Sequence, residues 1–190
     1  MKTMFKVMQK KANQIPADKL LIFEDIIHRH EPLTIPGTGE GCYREFTAAM
    51  ENHLTREQRF RLFEQHGGCM GTGYDKARKA FAREHANIPL EEQLELYCDA
   101  FNRDKRRIVI NDDNTITVTF ACTHGYYKHA PKGNFHPPAS LQTYFDSCAG
   151  GRLYELEKAL GIKLKIKSVD ISPLSQNVSN PVVFIFEILQ

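Results

Sequence analysis

Apolar positions recur at helical spacing in the first half of the chain and alternate in the second. Between Ala17 and Arg29, Leu20, Leu21, Phe23, Ile26 and Ile27 fall on one face of a helix. Glu31 to Gly41 holds two prolines and three glycines and reads as a loop. Cys42–Asn52 and Thr55–Gln65 read as two short helices. Thr55 suits the N-cap of the second, with Gln58 three residues on as its capping-box partner. Gly67, Gly68, Gly71 and Gly73 interrupt the pattern. It resumes from Tyr74 to His85, with Ala77, Ala80 and Phe81 at helical spacing. Pro89 opens a further helix with the stripe Leu90, Leu94, Tyr97 and Cys98.

The period then changes. Arg107 to Ile110 is apolar and β-branched, Asp112-Asp113-Asn114 is a turn, and Thr115 to Cys122 alternates strictly. Ile116, Val118, Phe120 and Cys122 share one face of that strand; Thr117, Thr119 and Ala121 share the other. A long irregular segment, His124 to Pro138, follows. Ser140 is placed to cap a helix that runs to about Leu160 and stops at Gly161. Lys163–Ile171 and Val182–Leu189 read as the last two strands, joined by the polar stretch Ser172–Asn180. The expected fold is α+β: a helical N-terminal half, then β-β-α-β-β forming an antiparallel sheet packed by helices. We read residues 1–190 as one domain, helical over residues 1–106 and sheet-forming over residues 107–190.

Composition narrows the class further. Hydrophobic residues make up 42% of the 190 and charged residues 25%, enough to bury a core. The net charge is only +2 and is even along the chain, with 17 basic and 16 acidic residues up to Arg106 and 8 and 7 after it. That excludes the basic excess expected of a nucleic-acid binder. No apolar run is long enough to span a bilayer. Met1–Lys11 is basic without a continuous apolar stretch, so no signal peptide is expected and the expected location is cytoplasmic. The five cysteines (Cys42, Cys69, Cys98, Cys122 and Cys148) are odd in number and form no CxxC pair. In a reducing cytoplasm they are buried hydrophobes, metal ligands or reactive thiols.

The richest chemistry lies in Cys122-Thr-His124-Gly-Tyr126-Tyr127-Lys128-His129, continuing to His136-Pro-Pro. A thiolate and an imidazole two residues apart on one strand face can share a metal or form a Cys–His nucleophile pair. They can equally be a small buried Cys beside a loop histidine. Cys148 falls on the stripe Leu141, Tyr144, Phe145, Cys148 and is followed by Ala149-Gly150-Gly151. Two helical glycines ask for close packing against a strand or room for a ligand, unless the helix breaks there. Cys69 lies in a glycine-rich run at a helix start, where amide N–H groups can cradle an anion and lower a thiol pKa. A plain connector is the alternative there, because the run matches neither nucleotide-binding glycine pattern. Cys98 reads as core, and Cys42 is undecided. His28, His30, His53, His66 and His85 read as solvated helix ends. Lys163, Lys165 and Lys167 mark the solvent face of a strand, and such charges also protect a sheet edge.

Over residues 67–190 the order of these features resembles small bacterial proteins related to the L-2-amino-thiazoline-4-carboxylic acid hydrolase family. More distantly it resembles the 4-vinyl-reductase-type ligand-binding domain. The matching features are Cys69 before a helix, a strand ending in Cys122, Cys148-Ala149-Gly150-Gly151, "ELEKALGIKLKIKSVDISPLS" and "VVFIFEI". The final strand, Val182-Val183-Phe184, lacks the cysteine such proteins often carry. The resemblance implies helices on an antiparallel sheet and a cysteine-lined pocket. Our leading expectation is that Cys69, Cys122, His124 and Cys148 converge on a metal, with zinc first, or on a small ligand, with Tyr126, Tyr127 and His129 lining the pocket. The second is a cysteine-dependent hydrolase with Cys122 or Cys69 as nucleophile and His124 or His129 as base, the cyclic C–N substrate being implied by the resemblance. The third is a non-enzymatic ligand-binding or sensor module closed by Tyr126, Tyr127 and Phe135. Each is compatible with a homodimer formed through an exposed sheet edge.

Overall fold

The computed structural model describes residues 2–10, 15–30, 39–66, 74–121, 139–177 and 180–189. The helices are α1 (Lys2–Lys10), α2 (Ala17–His30), α3 (Gly39–His53), α4 (Arg56–His66), α5 (Asp75–Glu84) and α6 (Leu90–Ala100). A 3-10 turn at Lys105–Arg107 leads into β1 (Ile108–Asn111) and β2 (Thr115–Phe120). Then come α7 (Leu141–Leu160), β3 (Lys163–Asp170), the short α8 (Pro173–Gln176) and β4 (Val182–Leu189). The four strands form an antiparallel sheet in the order β1-β2-β4-β3, and helices pack on it, so the fold is α+β.

Local signals account for most of the boundaries. Thr55 and Gln58 form the reciprocal capping box at the start of α4. Gln58 N donates to Thr55 Oγ1 at 3.2 Å, and Thr55 N donates to Gln58 Oε1 at 2.9 Å. Ser140 Oγ accepts from Thr143 N at 3.1 Å and caps α7, which Gly161 ends with φ +68°. Asn114, at φ 59°, closes the β1–β2 turn, and its side-chain amide donates to Ile188 O.

Alternation holds on the inner sheet face, where Ile116, Val118, Val182, Phe184, Phe186, Leu164 and Ile166 are buried. On β3 it slips once. Ile166 faces Phe186 and Val169 faces Phe184, so one extra residue at Lys167 is bulged out and returns Val169 to the core. The outer face, with Val109, Thr117, Thr119, Val183 and Ile185, is only partly covered.

Two apolar clusters meet at α4. Phe60 belongs to the cluster between the sheet and α5, α6 and α7; Leu62 and Phe63 belong to one with α1, α2 and α3. The basic start of the chain therefore forms a helix, with Met8 fully buried in the second cluster.

Five expectations need correction. Leu21 is 64% exposed, so α2 buries Phe23 and Ile26 without it. Gly39 to Gly41, expected in the loop, are the first residues of α3. Ala77 and Ala80 are exposed, and α5 buries Arg78 and Phe81 instead. His30 is not a solvated end, since its Nε2 lies 2.7 Å from Glu45 Oε2. His85 stacks on Phe81, and its Nδ1 lies 2.9 Å from Phe81 O. The β3 edge is guarded by more than its lysines. Glu157 and Glu64 accept from Leu164 N and Ile166 N, and Arg56 donates to Val169 O, so α4 and α7 cover that edge.

Candidate functional site

α7 is buried along most of its circumference, so it is the element against which a site would be assembled. It stays helical through Gly150 and Gly151. The reason for Gly150 is neither a strand nor a break. A Cβ there would lie 2.7 Å from the carbonyl carbon of Phe63, so α4 crosses α7 with its backbone against that glycine.

Of the residues singled out in the sequence as ligands or catalysts, Cys148 is placed. Cys69, Cys122, His124, Tyr126, Tyr127 and His129 lie outside the described residues, as do residues 31–38 of the loop expected at Glu31–Gly41, the glycine run and the segment His124–Pro138. Cys148 is 5% exposed and belongs to the sheet-side cluster. Phe145, one turn before it, meets the Phe120 ring edge-on at 6.4 Å; Arg152, one turn after it, sits over the same ring at 5.0 Å. Residues 145, 148 and 152 share a helix face, so the face carrying Cys148 is the one that receives the end of β2.

The ends that flank the two cysteine-bearing segments also dock on α7. Beyond the segment 122–138, Ala139 N donates to Thr47 Oγ1 at 2.8 Å, and Ser140 and Thr143 hydroxyls donate to Glu51 of α3. Before the segment 67–73, Phe63 packs on Gly150. After it, Asp75 accepts from Tyr154 OH, and Arg78 lies over the Tyr74 ring at 5.6 Å. Three of the four ends contact α7 between Phe145 and Tyr154, and the fourth, Ala139–Ser140, runs directly into α7 and is tied to Thr47 and Glu51 of α3.

An ionic network joins two of these ends. Glu155, with 1% of its side chain exposed, accepts from Arg103 and Arg152 and lies 3.6 Å from Arg78. Burial alone would raise its pKa, but Arg152, Arg103 and the Tyr97 hydroxyl hold it below the usual range. Burial, with Glu155 beside it, pushes the Tyr97 phenol well up. Arg78, itself 1% exposed, also bonds Asp75 at 3.3 Å. The path Tyr74–Arg78–Glu155–Arg152–Phe120 thus runs across α7 beside Cys148. Sequence reading missed this network. Its only trace there is the i,i+3 spacing of Asp75/Arg78 and Arg152/Glu155, which is common on solvated helix faces.

A second polar group lies nearer the start of α7. Asp146 is fully buried; Oδ1 accepts from Gln142 Nε2 at 2.8 Å and sits 3.5 Å from Arg56, and Oδ2 has no hydrogen-bond partner among the described residues. Burial raises its pKa, against the opposing effects of Gln142, Arg56 and Arg59.

Cys42 and Cys98 are buried with reduced side chains, and burial raises both thiol pKa values. Among the described residues no cluster of three His, Cys, Asp or Glu could hold a metal, and no helix is long and apolar enough to cross a membrane. No family model, no curated protein and no solved structure matches the chain.

Proposed function

We propose that the chain carries a thiol-lined zinc site on the face of α7 between Phe145 and Arg152, in which Cys69, Cys122 and His124 join Cys148. The observation that carries this reading is that Phe120, Phe63 and Asp75, which flank the two cysteine-bearing segments, meet α7 on either side of Cys148. Cys122 follows Phe120 by two residues, a span of at most about 7 Å. Three thiolates and one imidazole would close a tetrahedral shell, which favours a structural or sensing role over an open catalytic one. Such a centre bears one net negative charge, and the Arg152 guanidinium would lie one helical turn from it. A reducing, cytoplasmic location would keep the four ligands available.

The test is elemental analysis of protein purified without a His-tag or chelators. About one zinc per chain, falling sharply in Cys148→Ser, is the expected result. Folded, reduced protein with no metal would overturn the zinc reading.

A cysteine-dependent hydrolase is the second reading, in line with the family resemblance. In that reading Cys69 or Cys122 is the nucleophile, with His124 or His129 as base, while burial raises the pKa values of Cys42 and Cys98 and sets them aside. Rapid alkylation of one cysteine at neutral pH would support it; uniformly slow labelling would count against it. A co-purified organic molecule without metal would instead favour a binding module with a pocket closed by Tyr126, Tyr127 and Phe135.

A further inference from the structure

The two edges of the sheet are built differently. The β3 edge is covered by Glu64, Glu157 and Arg56, whereas among the described residues β1 pairs on one side only, with β2. β1 is also flanked by opposite charges. Lys105, Arg106 and Arg107 precede it, and Asp112 and Asp113 follow it in the turn to β2. We propose that two copies of the chain pair antiparallel through their β1 edges, joining two four-stranded sheets into one.

Antiparallel pairing sets the basic end of each β1 beside the acidic turn of the other, whichever residues lie at the centre. The charges are exposed and their present partners are local; Lys105, half exposed, lies 2.9 Å from Asp99. Arg106 is 90% exposed and pairs with Asp104; Arg107 is half exposed and shares Asp104. Asp112 is exposed, and Asp113 bonds Lys167 at 3.2 Å and Thr115 while keeping most of its surface in water. Val109, an exposed β-branched residue on the outer face of β1, would meet its counterpart or a close neighbour across the junction. A second copy fits this edge better than an acidic peptide, which would answer Lys105–Arg107 and leave Asp112 and Asp113 unanswered.

Sedimentation of the full chain across a range of protein and salt concentrations tests the pairing. The expected result is a dimer that weakens as salt rises. Arg106→Glu and Asp112→Arg should each weaken it by about tenfold or more, and the double exchange should recover most of the loss. Val109→Lys, a charge placed on the edge, should leave a monomer. A far-ultraviolet circular dichroism spectrum like that of the wild type, with a cooperative thermal transition, would show that the variants remain folded. A wild-type monomer at every soluble concentration would overturn the proposal, as would a dimer indifferent to all three substitutions. A monomer that binds poly-glutamate peptide would assign the edge to an acidic partner and overturn it too.

Discussion

Asp146 and Glu155 sit nine residues apart on one helix, both with essentially no exposed side chain, yet their surroundings move them in opposite directions. Glu155 is met by Arg78, Arg103 and Arg152 and by the Tyr97 hydroxyl, so its charge is held. Asp146 has one side-chain amide and a guanidinium at 3.5 Å, and one of its oxygens is unpartnered among the described residues. Burial is nearly the same for both; the supply of donors decides the ionisation. Glu155 ties α5, α6 and α7 together around the end of β2. Asp146 faces Arg56 of α4 and costs stability when it ionises.

The sharpest way to break the contrast is to remove the better-served charge. Glu155→Gln leaves three guanidiniums without their shared carboxylate in a buried setting. We expect a loss of about 3–5 kcal/mol, read as a drop in the urea midpoint. Arg103→Met should cost less, because Arg152 and Arg78 still answer Glu155. Equal losses for the two would mean that Glu155 is not the hub.

Gly150→Ala ranks next. The added methyl would press on the Phe63 backbone, and backbone cannot yield as a flexible side chain does. The α4–α7 crossing should open at a cost of about 1–3 kcal/mol. Because α4 carries Arg56 and Arg59, the same change should disturb Asp146 more than Glu155. An NMR titration of the two carboxyls checks this, and a shift confined to Glu155 would contradict it.

Signals carried by a few adjacent residues were legible in the sequence, and signals that depend on distant partners were not. The Thr55/Gln58 box, the Ser140 cap with its Gly161 stop, and the Ile116–Val118–Phe120 alternation each act within a turn or a strand. Arg78 shows the limit. Its burial depends on Glu155, 77 positions away in sequence, so local spacing favoured Ala77 and Ala80. The bulge at Lys167 was hidden in the same way, because the register of β3 is set by β4. Within the candidate site, apolar spacing alone puts Cys148 on the buried stripe of α7. The Arg152–Glu155 network left no comparable sign, because its partners come from three separate helices and the turn after α6.

The smallest effect and the most telling one is that of pH. Glu155 has a folded pKa below its ordinary value of 4.5. It therefore contributes stability that is present above that value and is lost as pH falls through the lowered pKa. Asp146 has a folded pKa above its ordinary value of 3.8, so the native state keeps the proton over a range in which the unfolded chain has released it. Its effect on stability is complete below 3.8 and declines as pH rises through the raised pKa. The two groups thus pull the acid limb of the stability curve in opposite directions. Asp146→Asn removes one of them. At neutral pH it should change stability by about 1 kcal/mol or less, because the amide gives up the Arg56 attraction but also the cost of a buried charge. Near pH 4 the variant should lose the proton-linked gain, so its stability should fall more steeply on acidification than that of the wild type. Urea midpoints measured from pH 3 to pH 7 read the difference directly, and parallel curves for the two proteins would show that Asp146 does not hold its proton in the folded state.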